Sequence, residues 1–193
     1  TLNGWLEDRA IPSDRSGIQE LMHLLSIDDI HSLYLSDHAR SLSDTFWIRE
    51  SNENITWDQI SPYTQDFDFR GFADAVFMNV PASRAALATP NNMTSGKSPK
   101  AWIIEEGRRY LCKSATDHWQ IAPVNEWLAY EIGKKLGMNV LEYQLQTIGD
   151  RLVSVSPCMC DSHTDFIGAQ QILSSFSTQK AFEFQYRNYV VLL

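Results

Sequence analysis

Apolar residues recur with two different periods along this chain, and the change falls near residue 100. Before it the pattern is helical and broken into short pieces. Ile18, Leu21, Met22 and Leu25 share one face of a predicted helix for which Ser13 offers an N-cap. Thr56 opens a single predicted turn over residues 56–60, and Asp68 caps a further predicted helix carrying Phe69, Phe72, Val76 and Phe77. Between them, Phe46, Trp47 and Ile48 read as a short strand. Residues 79–100 break the pattern with Pro81, Pro90, Pro99, the pair Asn91-Asn92 and several Ser and Thr, a loop composition.

After the break the period drops to two. Ala101 to Glu105, a Glu106-Gly107 turn and Arg108 to Lys113 predict a β-hairpin. Pro123 suits the first turn of a helix running to Leu136, with Gly137 as its stop and Val124, Trp127, Leu128, Ile132 and Leu136 as its apolar stripe. Leu141 to Thr147, a Gly149-Asp150 turn and Leu152 to Val155 predict a second hairpin. The order ββ-α-ββ gives an α+β fold: a short-helix accessory subdomain over residues 1–88, then over 89–193 a lobe of antiparallel sheet with one main helix.

Composition narrows the class. The 193 residues are 44% hydrophobic, enough for a sizeable core in one large domain or two small ones. A net charge of −8 and a pI near 5.0 disfavour a nucleic-acid or anionic-membrane partner. No apolar run approaches the roughly 18 residues of a membrane span, and no N-terminal stretch reads as a signal peptide. Cys112, Cys158 and Cys160 form no even disulfide framework, which points to a reducing cytoplasm. Thr1 at the start, and apolar positions at helical spacing (182, 186, 189, 190 and 193) at the end, predict a piece of a longer protein.

The candidate chemistry starts in the loop Thr94-Ser95-Gly96-Lys97-Ser98-Pro99-Lys100. Phosphates bind exposed backbone N–H groups and cations, which a glycine turn beside lysines supplies. With Gly96 alone, neither GxGxxG nor GxxxxGK[ST] is matched, and a polar surface linker has the same composition. Lys113 ends an alternating strand, where a lysine is either solvated or turned into a cleft. Glu126, one turn into the following helix, offers it a partner, although acidic residues in a first turn also favour the helix dipole alone. Loop, strand lysine and helix glutamate, in that order, are how a kinase small lobe grips nucleotide phosphates. Cys158, Cys160 and His163 lack a fourth ligand and the usual metal-site spacing, so no metal is assigned to them.

The segment from Gly96 to Val140 resembles the small lobe of HipA-like serine/threonine kinases, the toxin kinases of bacterial toxin–antitoxin systems. Val124-Asn125-Glu126-Trp127-Leu128-Ala129 and Lys135-Leu136-Gly137-Met138-Asn139-Val140 are similar to that family's NE-bearing helix and its exit. Asp8 to Pro12, Arg15 to Ile18 and Ser41 to Arg49 are similar to the N-terminal region of a subgroup found in bacterial and mobile-element genomes. The resemblance implies that Gly96, Lys97, Ser98 and Lys100 cover the phosphates of ATP, that Lys113 anchors them, and that Glu126 is its acidic neighbour. It implies that Val155 and Ser156 approach the hinge beside adenine, and that Thr94, Ser95 or Ser98 receives a regulatory phosphate.

The family's catalytic Asp-x-His…Asn and its metal-binding Asp have no counterpart in this sequence, so no residue here is assigned to catalysis. The implied partners are ATP with Mg²⁺, a C-terminal kinase lobe, and an antitoxin or protein substrate. The rival expectation is a non-catalytic regulatory or interaction module of phage or mobile-element origin that keeps a degenerate kinase lobe.

Overall fold

Two-residue alternation after residue 100 builds an antiparallel sheet of four strands, β1 (Lys100–Glu105), β2 (Arg108–Ser114), β3 (Gln144–Ile148) and β4 (Arg151–Pro157), in the order β1-β2-β4-β3. The structure is a computed structural model and describes residues 2–82 and 88–168. The predicted C-terminal helix lies outside the described residues. Both predicted hairpins form, the second starting at Gln144 rather than Leu141.

Directly opposed residues share a face of such a sheet. Ala101 opposes Cys112, and Cys112 opposes Val155. With Ile103 and Val153 they make one buried, apolar face. Lys100 opposes Lys113, Trp102 opposes Leu111, Lys113 opposes Ser154 and Leu111 opposes Ser156, so these residues share the other face.

Helices α1 (Leu2–Arg9), α2 (Ile18–Leu24), α3 (His31–Ser36), α4 (Trp57–Ile60) and α5 (Arg70–Met78) precede the sheet. Apolar residues of these helices and the turns after them, among them Ile11, Leu25, Leu33, Phe72 and Phe77, join Ala101, Ile103, Cys112, Val153 and Val155 in one core cluster. The core therefore runs through the boundary at residue 88 without a break. Of the predicted helix starts, Thr56 caps α4 in a reciprocal capping box with Gln59, and Asp68 Oδ1 accepts from Arg70 N at 3.1 Å at the start of α5. Ser13 does not cap α2: the chain turns through residues 12–17, and the helix begins after Gly17 at φ 76°.

Residues 46–48 form no strand. Ile48 N donates to His38 O at 2.9 Å, and Trp47 stacks on Trp57 with ring centroids 6.3 Å apart, so side-chain packing replaces a ladder. Part of the expected loop over 79–100 is buried. Pro90–Met93 is a 3₁₀ turn, and the Asn91 side chain accepts from Trp102 N at 2.5 Å and donates to Trp102 O at 3.2 Å. One amide thus stands in for a neighbouring strand at the β1 edge, a position whose backbone groups otherwise stay open to association. Asn92 Nδ2 donates to Leu33 O at 3.3 Å, tying the same turn to α3.

Helix α6 (Ile121–Lys135) lies against β2, β3 and β4 on the Lys113 face. Its orientation differs from the one the stripe predicts. Pro123 and Gly133 are buried and Glu126, Trp127 and Tyr130 half-buried, whereas Leu128 is 46%, Ile132 49% and Leu136 71% exposed. Gly133 lets the chain fold back closely: a Cβ there would lie 2.7 Å from Val140 Cγ1. No described helix is long and apolar enough to cross a membrane.

Because one core joins helices and sheet, Phe77→Ala should destabilise the protein by about 3–5 kcal/mol. In a urea titration the helical and sheet signals should still unfold in one transition, and two separated transitions would contradict a shared core.

Candidate functional site

Lys113 reaches the open face of the sheet because Cys112, one residue earlier, is committed to the core. Its Nζ lies 2.9 Å from Glu126 Oε1, joining β2 to α6. The other carboxylate oxygen of Glu126 accepts from Ser154 Oγ, and the Lys113 ammonium sits 5.6 Å from the Tyr143 ring centroid. Burial opposes the charge on Lys113, but the hydrogen bond and charge of Glu126, with Tyr143 behind them, more than offset it. The Lys113 pKa is held above the ordinary lysine value.

Lys100 stands directly across the ladder from Lys113, an arrangement that costs free energy between like charges. It donates to Ser95 O at 2.8 Å. Burial first, then the charges of Arg15 and Lys113, depress its pKa to about 8, with Glu126 pulling the other way. Lys100 thus feels two cations, Arg15 and Lys113, against one carboxylate, Glu126, an excess of positive charge that favours an anion.

Beside these lysines is a cavity of about 200 Å³. Lys100, Lys113, Thr94 and Ser95 form its polar part, while Leu42, Trp102, Leu111, Met159 and Phe166 form its apolar part. Leu42, Phe67 and Trp102 make a small second core that supports this wall. The Trp102 indole N–H is buried and finds no hydrogen-bond partner among the described residues, which costs about 1–3 kcal/mol for an unmet donor. Cys158 Sγ and Cys160 Sγ donate to Leu42 O at 3.5 Å and Ser43 O at 3.6 Å, and burial raises both thiol pKa values, that of Cys160 to about 11. Among the described residues no group of three or more His, Cys, Asp or Glu is placed to hold a metal ion.

The predicted residues divide. Lys100, Lys113 and Glu126 come together, with Thr94 and Ser95 on the cavity wall. Gly96 is at the exposed end of the loop at φ +92°, where a Cβ would meet Lys100 Nζ at 2.8 Å. Lys97, its side chain 77% exposed, pairs with Asp14 at 2.6 Å instead of facing the cavity. Ser98 is half-buried and does not line the cavity. Ser156 shares the Lys113 face but is buried, and Val155 lies on the opposite face in the core. Thr94 is also buried, its hydroxyl donating to Asn91 O at 2.9 Å.

Ser154, Tyr143, Trp102 and Leu111 escaped the sequence reading. Ser154 becomes visible only once the β2–β4 register sets it opposite Lys113. Comparison with known protein families, with curated protein sequences and with solved structures finds no match to this chain.

The depressed pKa of Lys100 sets a pH dependence. The folded state releases this proton near pH 8, whereas the unfolded chain holds it to about 10.4. The unfolded state binds more protons across that window, so the Lys100 contribution to stability rises with pH there. In isotope-edited NMR of methylated lysines, one resonance, lost in Lys100→Met, should titrate near pH 8.

Proposed function

We propose that this chain is the nucleotide-gripping part of a HipA-like ATP-dependent serine/threonine protein kinase. The carrying observation is Lys113 held by Glu126 beside a cavity that is cationic at one end and apolar along the rest. A ligand matching both ends has an aromatic or apolar body and a strongly anionic tail, which is the character of a nucleoside polyphosphate. The cavity is smaller than the ~300–1,000 Å³ of typical small-molecule sites, so the described residues enclose part of such a ligand.

Each residue has a definite task in this reading. Glu126 keeps Lys113 protonated and aimed, and Lys113 holds the phosphates as a point charge. Lys100 adds a second cation whose proton the bound phosphates retain. Trp102 and Leu111 receive the base by apolar contact. A magnesium ion, when bound with ATP, neutralises charge on the transferring phosphate. In the loop, Ser95 is exposed and lines the cavity beside the two lysines, and Ser98 is the next candidate for a regulatory phosphate; the Thr94 hydroxyl is buried and bonded. About two added negative charges on Ser95 would compete with the ATP phosphates for Lys100 and Lys113.

A second reading, an interaction module without catalysis, draws on the apolar stripe of α6, where Leu128, Ile132 and Leu136 face outward. Nucleotide binding separates the two.

Mg–ATP binding by calorimetry is the test. Lys113→Ala should weaken it by more than about tenfold, the scale of a charge-assisted hydrogen bond, and abolish protein phosphorylation by the intact kinase. Affinity should fall as pH rises through 8 in the parent chain and lose that dependence in Lys100→Met. An unimpaired Lys113→Ala protein would sink the proposal, and a parent chain that does not bind ATP would favour the interaction module.

A further inference from the structure

The turn that follows α1 reaches far along the sequence to the loop walling the cavity. Arg15 Nε donates to Gly96 O at 2.9 Å, one terminal nitrogen donates to Thr94 Oγ1 at 3.2 Å, and the other donates to Thr94 O. The neighbouring Ser16 N donates to Lys97 O at 3.3 Å, and Asp14 pairs with Lys97 at 2.6 Å. Three consecutive residues thus grip the loop from Thr94 to Lys97.

Arg15 is only 4% exposed, and among the described residues it has no carboxylate partner within ion-pair distance. Its desolvated charge is met instead by loop oxygens, and burial lowers its pKa to about 10. A buried cation is costly unless its donors are satisfied. The loop therefore has to present Thr94 O, Thr94 Oγ1 and Gly96 O inward to the guanidinium. That choice leaves Ser95 O for Lys100 and sets the wall of the cavity.

We infer that Arg15 is a positioning residue of the ligand cavity, fixing the Thr94–Gly96 loop in its receiving conformation, so that the N-terminal turn is part of the binding site. Its consequence for ATP rests on the nucleotide reading; its consequence for the loop does not. A planar fork meets three acceptors at once, whereas a lysine ammonium at the end of a flexible stem does not reproduce that geometry.

The test measures the initial rate of tryptic cleavage after Lys97, which requires the loop to open locally, and, separately, Mg–ATP affinity, both in the full chain. Arg15→Met and Arg15→Lys should speed that cleavage by about tenfold or more, given hydrogen bonds to a charged group, with amide exchange in β2 and β4 unchanged. If Arg15 variants lose the fold, Thr94→Val serves instead: it is close in shape, removes one acceptor, and should speed cleavage by a smaller factor. Where the parent chain binds Mg–ATP, Arg15→Lys should weaken it by about the same factor as it opens the loop. Unchanged cleavage in a folded variant overturns the inference. Faster cleavage in a chain that binds no ATP upholds the latch and ends the nucleotide reading instead.

Discussion

The register of the β1–β2 ladder divides the chemistry of this molecule, because a strand turns successive side chains to opposite faces. Pairing Ala101 with Cys112 and Ile103 with Tyr110 sends one set toward the core beneath α5. The same pairing sends Lys100, Trp102, Leu111 and Lys113 to the other side. Neither set has an independent reason to be where it is. A slip by one residue would bury two lysines and expose the core, so burial of small and branched residues on one face enforces presentation of the cations on the other.

The helical segments support this arrangement and add two contacts that no isolated sheet would have. Asn91 closes the β1 edge through the backbone of Trp102, and Arg9, bonded to Asp44 and to Ala39 O at 3.0 Å, fixes the loop that carries Leu42 and Ser43 to the cavity. Polar side chains do the joining between segments distant in sequence, whereas apolar ones fill the shared core. The cavity is therefore assembled from four regions of chain: the loop near residue 42, the turn and loop from 91 to 100, the sheet with α6, and the segment from Met159 to Phe166, with the turn at Arg15 holding the second of them.

Much of the fold could be read from sequence where local signals are strong. The Glu106-Gly107 turn, the Gly149-Asp150 turn and the long periodic helix after Gln120 each announce themselves within a dozen residues. So did the Lys113–Glu126 spacing, since a strand end and the first turns of the next helix are brought near each other by a short connection. What was not legible depends on contacts between distant residues. α1 and α3 have weak periodicity, and the outward turn of the α6 stripe follows from Glu126 and Gly133 taking the sheet side, which hydrophobicity alone argues against. Asn91 looks like a loop residue until Trp102 is beside it, and Arg15 looks like a surface charge until the loop at Thr94 closes over it.

Gly133 shows how far from the Lys113–Glu126 pair its surroundings can be set. Because that position lacks a Cβ, Val140 can press onto the helix, and the chain returning from α6 starts its next strand close by, with Tyr143 beside Lys113. The spacing between the helix and the returning chain is in effect a tolerance stack, and one hydrogen atom is the thinnest shim in it. An added methyl group would press on the Val140 side chain, in the segment that leads on to Tyr143. A substitution at 133 therefore bears on the segment that brings Tyr143 to Lys113, although nothing at that position lines the cavity beside the lysines.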